Sequence, residues 1–171
     1  VVLHMVGSHG PTYYLRYPTE YAQFLPDCQT AELVKCSTEE VVNSYDNSIL
    51  FTDHVLSQAI DMLDQQDSVI PAMVFLSDHG ESLGEKGLYL HAAPMFMAPE
   101  YQTKVPFVIW QSDRFEKAMG VSTTCLNKSA DLPISQDNLF HTVLGMMDIQ
   151  TEVRDASLDL TAACRAKGGN A

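Results

Sequence analysis

Positive charge is scarce in this chain: its 171 residues carry 10 Lys and Arg against 22 Asp and Glu, a formal net charge of −12. With no basic stripe to neutralise phosphates, nucleic acid is excluded as a partner. Long apolar runs are also missing. Nothing approaches the roughly 18 apolar residues of a membrane helix, and the longest candidates, residues 69–76 and 105–110, have the size of core strands. No internal repeat, low-complexity block or Pro/Gly/Ser linker divides the chain, so residues 1–171 read as one domain or a piece of one. An initiator methionine is absent as well. Val1-Val2-Leu3-His4-Met5 reads as a buried strand beginning at the first residue, which leads us to expect the C-terminal portion of a domain whose N-terminal part is absent.

Cysteine is limited to four residues, none in a CxxC step, which removes the usual signature of a structural zinc site. Cys28 and Cys36 lie close together in a polar segment. That leaves two readings: a short loop closed by a disulfide, and with it an oxidising compartment, or four buried thiols in a cytosolic protein. The polar setting favours the disulfide, and Cys125 and Cys164 would then pair by elimination.

At 46% hydrophobic and 19% charged, the composition is that of a globular chain. Gly7-Ser8-His9-Gly10-Pro11 is turn-rich and is followed by an aromatic run, Tyr13, Tyr14, Tyr17, Tyr21 and Phe24, which reads as an ordered loop. Ser37 followed by Glu40 is a capping box. The stripe Val42, Tyr45, Ile49, Leu56, Ile60 and Leu63 then predicts an amphipathic helix to about Asp64. Residues 72–76 are a continuous apolar run, as expected of a parallel strand covered on both faces. A long loop from Glu81 to about Lys104 leads to a strand over 105–110. Ser135 caps a second helix with Leu139, Phe140, Val143, Leu144 and Met147 on its inner face, and residues 165–171 should fray. Strand, helix, strand, loop, strand, helix is the order of an α/β layered fold.

In such folds ligands lie beyond the carboxyl ends of strands. Two strand ends carry polar clusters: the segment around His9, and Ser77-Asp78-His79-Gly80-Glu81-Ser82. His91 follows in the Gly-rich loop. Asp oxygen and His nitrogen are zinc ligand types. Adjacent strand residues point to opposite faces, so Asp78 and His79 share one metal only where the chain leaves the sheet, a turn that Gly80 permits. The structural alternatives are a plain Asp-His-Gly turn and a turn residue at His9. His4, within an apolar strand, and His54 and His141, on helices, read as satisfied core histidines.

Taken together, residues 2–14, Tyr45-Asp46-Asn47, Leu76-Ser77-Asp78-His79-Gly80-Glu81-Ser82-Leu83-Gly84-Glu85, Tyr89-Leu90-His91 and Asp137-Asn138-Leu139-Phe140-His141-Thr142 resemble the periplasmic catalytic domain of bacterial phosphoethanolamine–lipid A transferases. That family includes the mobilised colistin-resistance enzymes and belongs to the alkaline phosphatase and sulfatase superfamily. The resemblance implies an α/β sulfatase-like sheet layered between helices, with residues 1–171 as the C-terminal portion of a single periplasmic catalytic domain. It implies Asp78 and His79 as ligands of a catalytic Zn2+. His9 and His91 would be catalytic and substrate-contacting residues and a second zinc site, Glu81 a substrate-binding neighbour, and Cys28–Cys36 a family disulfide.

The implied reaction moves phosphoethanolamine from phosphatidylethanolamine to a lipid A phosphate through a phospho-threonine. The intact protein would be a monomer held at the periplasmic face of the inner membrane by N-terminal helices. The family's nucleophilic threonine and a further acidic ligand precede the segment around His9. Thr12, Thr30 and Thr52 do not match that motif, so this chain is expected to lack the nucleophile and to be inactive alone. The alternatives are a related phosphodiesterase, sulfatase or transferase to another glycan, and a non-catalytic zinc-binding domain.

Overall fold

The computed structural model describes residues 1–91, 94 and 96–166. Its regular elements are α1 (Thr38–Asp64), β1 (Ala72–Leu76), β2 (Ser82–Leu83), β3 (Tyr89–Leu90), α2 (Glu100–Thr103), β4 (Phe107–Gln111), α3 (Asp113–Met119), α4 (Thr123–Lys128) and α5 (Asp137–Met146). No helix among the described residues is long and apolar enough to cross a membrane. The chain divides into two compact units: Val1–Met62 with Val74–Val108, and Leu63–Met73 with Ile109–Ala171.

β1 pairs with β4. The Ser77 N–H donates to the Pro106 carbonyl at 3.4 Å and the Ser112 N–H to the Pro71 carbonyl at 3.2 Å. The end of β1 therefore meets the start of β4, an antiparallel pairing where the apolar run led us to expect a parallel one. An apolar run reports cover on both faces, not strand direction. Residues 1–5 form no strand. Among the described residues no strand pairs with them, and Val1 to Met5, His4 included, are exposed instead of buried. Without a ladder partner, apolar composition alone does not make a strand.

In the first unit the capping box forms as expected. The Ser37 N–H donates to Glu40 Oε2 at 2.7 Å and the Glu40 N–H to Ser37 Oγ at 3.2 Å. The buried face of α1 differs from the apolar stripe. It is made by Val41, Ser44, Asn47 and Ser48, while Ile49 is exposed. Polar groups turn inward because they tie down the aromatic loop: Asn47 Oδ1 accepts the N–H groups of Gln23 and Phe24, its Nδ2 donates to the Phe24 carbonyl, and Ser44 Oγ donates to the Cys28 carbonyl. Tyr13, Cys28, Leu33, Val41 and Leu83 form the core beneath that loop. The Tyr13 ring meets Tyr45 edge-on at 5.4 Å. Cys28 and Cys36 are disulfide-bonded, which excludes the free-thiol reading.

Opening that bond by Cys28→Ser/Cys36→Ser is expected to cost about 2 to 3 kcal/mol, the loop-closure scale for so short a ring, read as a lower urea midpoint. An unchanged midpoint would mean that the Cys28 N–H bond to the Glu40 carbonyl and the Ser44 tether already hold the loop.

In the second unit α3 is capped by Ser112, whose Oγ accepts the Phe115 N–H at 3.1 Å, and it ends at left-handed Gly120. Ser122 caps α4 through the Cys125 N–H. Cys125 bonds to Cys164 as expected by elimination. The inward face of α5 is Asn138, Thr142, Gly145 and Met146, while Phe140, Val143 and Met147 are exposed, the reverse of the apolar reading. The segment after the helix explains this. Asn138 Nδ2 donates to the Leu158 carbonyl at 2.8 Å, and Thr142 Oγ1 accepts the Leu160 N–H at 3.1 Å. Of the tail expected to fray, residues 167–171 lie outside the described residues. Arg165 is held: it bridges to Val121, and its guanidinium donates to the Met119 and Gly145 carbonyls.

Candidate metal and phosphoryl site

The site lies in the first unit, at the carboxyl end of β1 and in the two loops that carry His9 and His91. Beyond β1 the Ser77 hydroxyl donates to the His79 carbonyl at 2.7 Å, and the Gly80 N–H donates to the Gln102 carbonyl at 3.0 Å. A Cβ on Gly80 would stand 2.0 Å from the Tyr101 carbonyl oxygen. Glycine is needed here for close backbone approach, not for the turn: Gly80 is not among the positive-φ glycines. The expected long loop folds back on itself, Ser82 pairing with Leu90 and Leu83 with Tyr89 in an antiparallel ribbon. That ribbon returns His91 to the neighbourhood of His79.

Three imidazoles converge. The ring centroids of His79 and His91 are 3.8 Å apart, those of His9 and His91 4.8 Å, and those of His9 and His79 5.6 Å. One ligand atom from each lies within 4.8 Å of the other two. Their second nitrogens are each committed. His9 Nδ1 faces the Gly10 carbonyl at 2.7 Å, His79 Nδ1 the Gly80 carbonyl at 3.0 Å, and His91 Nδ1 Glu81 Oε1 at 3.2 Å. A carbonyl or carboxylate oxygen only accepts, so in each ring Nδ1 is the donor, and the neutral form of a ring so held keeps the Nε2 lone pair for a ligand. A set of imidazoles oriented through Nδ1 is the donor chemistry that suits zinc.

Asp78 sits beside the trio, its side chain 81% exposed and its Oδ1 3.9 Å from His79 Nε2. Its carboxylate thus faces the ring nitrogen left open. Glu81 is the opposite case, with a side chain only 4% exposed. Its Oε1 accepts the Gly10 N–H at 3.3 Å and its Oε2 the Tyr13 hydroxyl at 3.0 Å. Burial and the neighbouring Glu81 charge push the Tyr13 hydroxyl well above the ordinary tyrosine range, which keeps it a donor.

The expected residues His9, His79, Glu81 and His91 are therefore brought together, with Asp78 at their edge. Sequence reasoning missed Tyr13, read only as part of an aromatic run, because no local signal announces a partner 68 positions away. His54 instead packs against Tyr21, and His141 Nδ1 accepts the Asp155 N–H; neither joins the cluster.

Residues 1–149 match the sulfatase family model. Over 167 residues the chain is 47% identical to the phosphoethanolamine transferase EptA of Salmonella typhimurium, matching 96% of this chain and 30% of that protein. It is 36% identical over 153 residues to the phosphatidylethanolamine transferase Mcr-1 of Escherichia coli, 89% of this chain and 27% of that protein. Among solved structures, the soluble domain of lipooligosaccharide phosphoethanolamine transferase A from Neisseria meningitidis superimposes with a TM-score of 0.92 at 44% identity, over 96% of this chain and half of that one. The chain thus spans about 30% of the length of the curated transferase first compared.

Proposed function

The chain belongs to the sulfatase family, and from that premise we propose that it is the histidine-bearing part of a zinc-dependent transferase that moves phosphoethanolamine from phosphatidylethanolamine to a lipid A phosphate. The observation that carries the reading is the convergence of His9, His79 and His91 with every Nδ1 engaged by an acceptor oxygen. The 47% identity to a phosphoethanolamine transferase supports the choice of group transferred.

In this reading Asp78 and His79 hold the metal, which when bound supplies Lewis-acid stabilisation of the phosphoryl oxygens and lowers the pKa of the attacking hydroxyl. His9 and His91 face the phosphoryl group through Nε2: protonated there, each neutralises developing charge or gives its proton to a leaving oxygen, and unprotonated, each holds a second zinc through the lone pair. A threonine from outside these 171 residues displaces diacylglycerol at phosphorus, and a lipid A phosphate oxygen then displaces the threonine. The overall charge of −12 does not oppose anionic substrates where a dication sets the local field. The paired cysteines suit the oxidising periplasm. There the intact protein acts as a monomer at the inner membrane, anchored by segments outside this chain.

Chelation of the intact protein should stop phosphoethanolamine addition to lipid A, followed by mass spectrometry, and added zinc should restore it. Addition that persists in chelator, or turnover of a sulfate ester in its place, would overturn the reading.

A further inference from the structure

We propose that Glu81 and Tyr13 form a buried positioning pair, touching neither substrate nor metal, that joins the two histidine-bearing loops and fixes which nitrogen His91 presents. The proposal rests on the site reading above for its ligand and on geometry for its mechanism. Glu81 Oε1 takes two donors from different loops, the Gly10 N–H at 3.3 Å beside His9 and His91 Nδ1 at 3.2 Å. Its Oε2 takes a third, the Tyr13 hydroxyl at 3.0 Å.

With both oxygens occupied and the side chain 4% exposed, this carboxylate has no face turned to solvent from which to contact a phosphoryl group. What it can do is act through its neighbours. It holds the proton on His91 Nδ1, and it binds the residue next to His9, so one side chain sets the spacing of two imidazoles. Tyr13 in turn fixes the carboxylate. It is nearly inaccessible at 1% exposure, and its hydroxyl and ring carbon would stand 2.7 and 2.8 Å from a Cβ on Gly10, so the tyrosine also sets how closely the His9 loop approaches. Glycine at position 10 leaves room for that contact.

Two readouts test this in the intact protein, both distinct from turnover. Long-range 1H–15N NMR on 15N-histidine-labelled, metal-free protein above pH 8 reports the tautomer of His91. The wild type is expected to hold the Nδ1–H form, and Glu81→Ala to relax to the mixture found in solution. Zinc competition with a chromophoric chelator then reports affinity at the second site, the one His91 holds with His9, expected to fall about 10- to 100-fold in Glu81→Ala and about tenfold in Tyr13→Phe, the range for loss of a group that orients a metal-binding histidine. Tyr13→Phe keeps the ring, so it serves as the second variant should Glu81→Ala fail to fold.

A lower melting temperature with unchanged tautomer and unchanged zinc affinity would overturn the proposal and leave the pair as packing only. An Nδ1–H His91 that relaxes in the variants, in a protein whose zinc affinity ignores His79→Ala, would sustain the positioning role while sinking the metal reading.

Discussion

Replacing His79 by alanine is expected to strip zinc from the intact protein and to lower lipid A modification by on the order of 10³-fold or more, the rate equivalent of the several kcal/mol that a metal contributes to a phosphoryl transition state. The argument starts from position. His79 is at the end of β1, its ring is the one nearest His91 at 3.8 Å, and its Nε2 is the nitrogen that Asp78 Oδ1 faces at 3.9 Å. Removing the ring takes away one of the two proposed metal ligands and leaves Asp78 without its imidazole neighbour. The fold should survive. The strand end is held by backbone groups that alanine retains, the His79 carbonyl accepting from Ser77 Oγ and the Gly80 N–H donating to the Gln102 carbonyl. His54→Ala, on α1 beside Tyr21, should keep zinc and activity. Elemental analysis after dialysis, with lipid A mass spectrometry on the same preparations, checks both. Wild-type zinc and wild-type product in His79→Ala would mean that the cluster is not the metal site.

What could be read from the sequence follows from how local each signal is. The capping box at Ser37 and Glu40 spans four residues and carries its whole mechanism in them, so the start of α1 was readable. Ser77-Asp78-His79-Gly80 was readable because an apolar strand precedes it and a polar cluster there has no packing purpose. The faces of α1 and α5 were not. Hydrophobic spacing finds a helix but assumes that apolar residues point inward, whereas here Asn47, Ser44, Asn138 and Thr142 are buried because loops distant in sequence need their hydrogen bonds. α3 is not legible although Ser112 and Gly120 punctuate it, since seven residues give too little periodicity to outweigh a loop. His91 could be tied to His79 only through the family resemblance. The ribbon that joins them is two residues per strand, too short to show alternation. The pairing of Tyr13 with Glu81 had no sequence signal at all.

The same distinction between local conformation and distant contact governs Gly80. Glycine after a strand suggests freedom to turn, and on that view Gly80→Ala would cost little in a residue whose φ is ordinary. The structure leads to the opposite expectation. An added Cβ would meet the Tyr101 carbonyl oxygen at 2.0 Å, its carbon at 3.1 Å and Gln102 Cα at 3.4 Å, all backbone atoms that no rotamer change can move. The strand end would have to separate from α2, breaking the bond from the Gly80 N–H to the Gln102 carbonyl and drawing Gln102 Nε2 from buried Ser82 Oγ, to which it donates at 2.9 Å.

Overpacking at about 1–3 kcal/mol and polar groups left unsatisfied at about 1–3 kcal/mol each together predict a loss of about 3 kcal/mol or more. Because the displaced segment begins one residue after His79, zinc affinity should fall with it. Gly87→Ala is the contrasting case. Nothing lies within 4 Å of its Cβ, but its φ is +78°, so the cost is the left-handed penalty alone, about 1–2 kcal/mol, with zinc affinity unchanged. Urea midpoints and zinc competition on the two variants separate the mechanisms. Equal stability losses, or a Gly80→Ala protein as stable as the wild type, would show that the approach of residues 80 and 101 is not what positions the metal ligands.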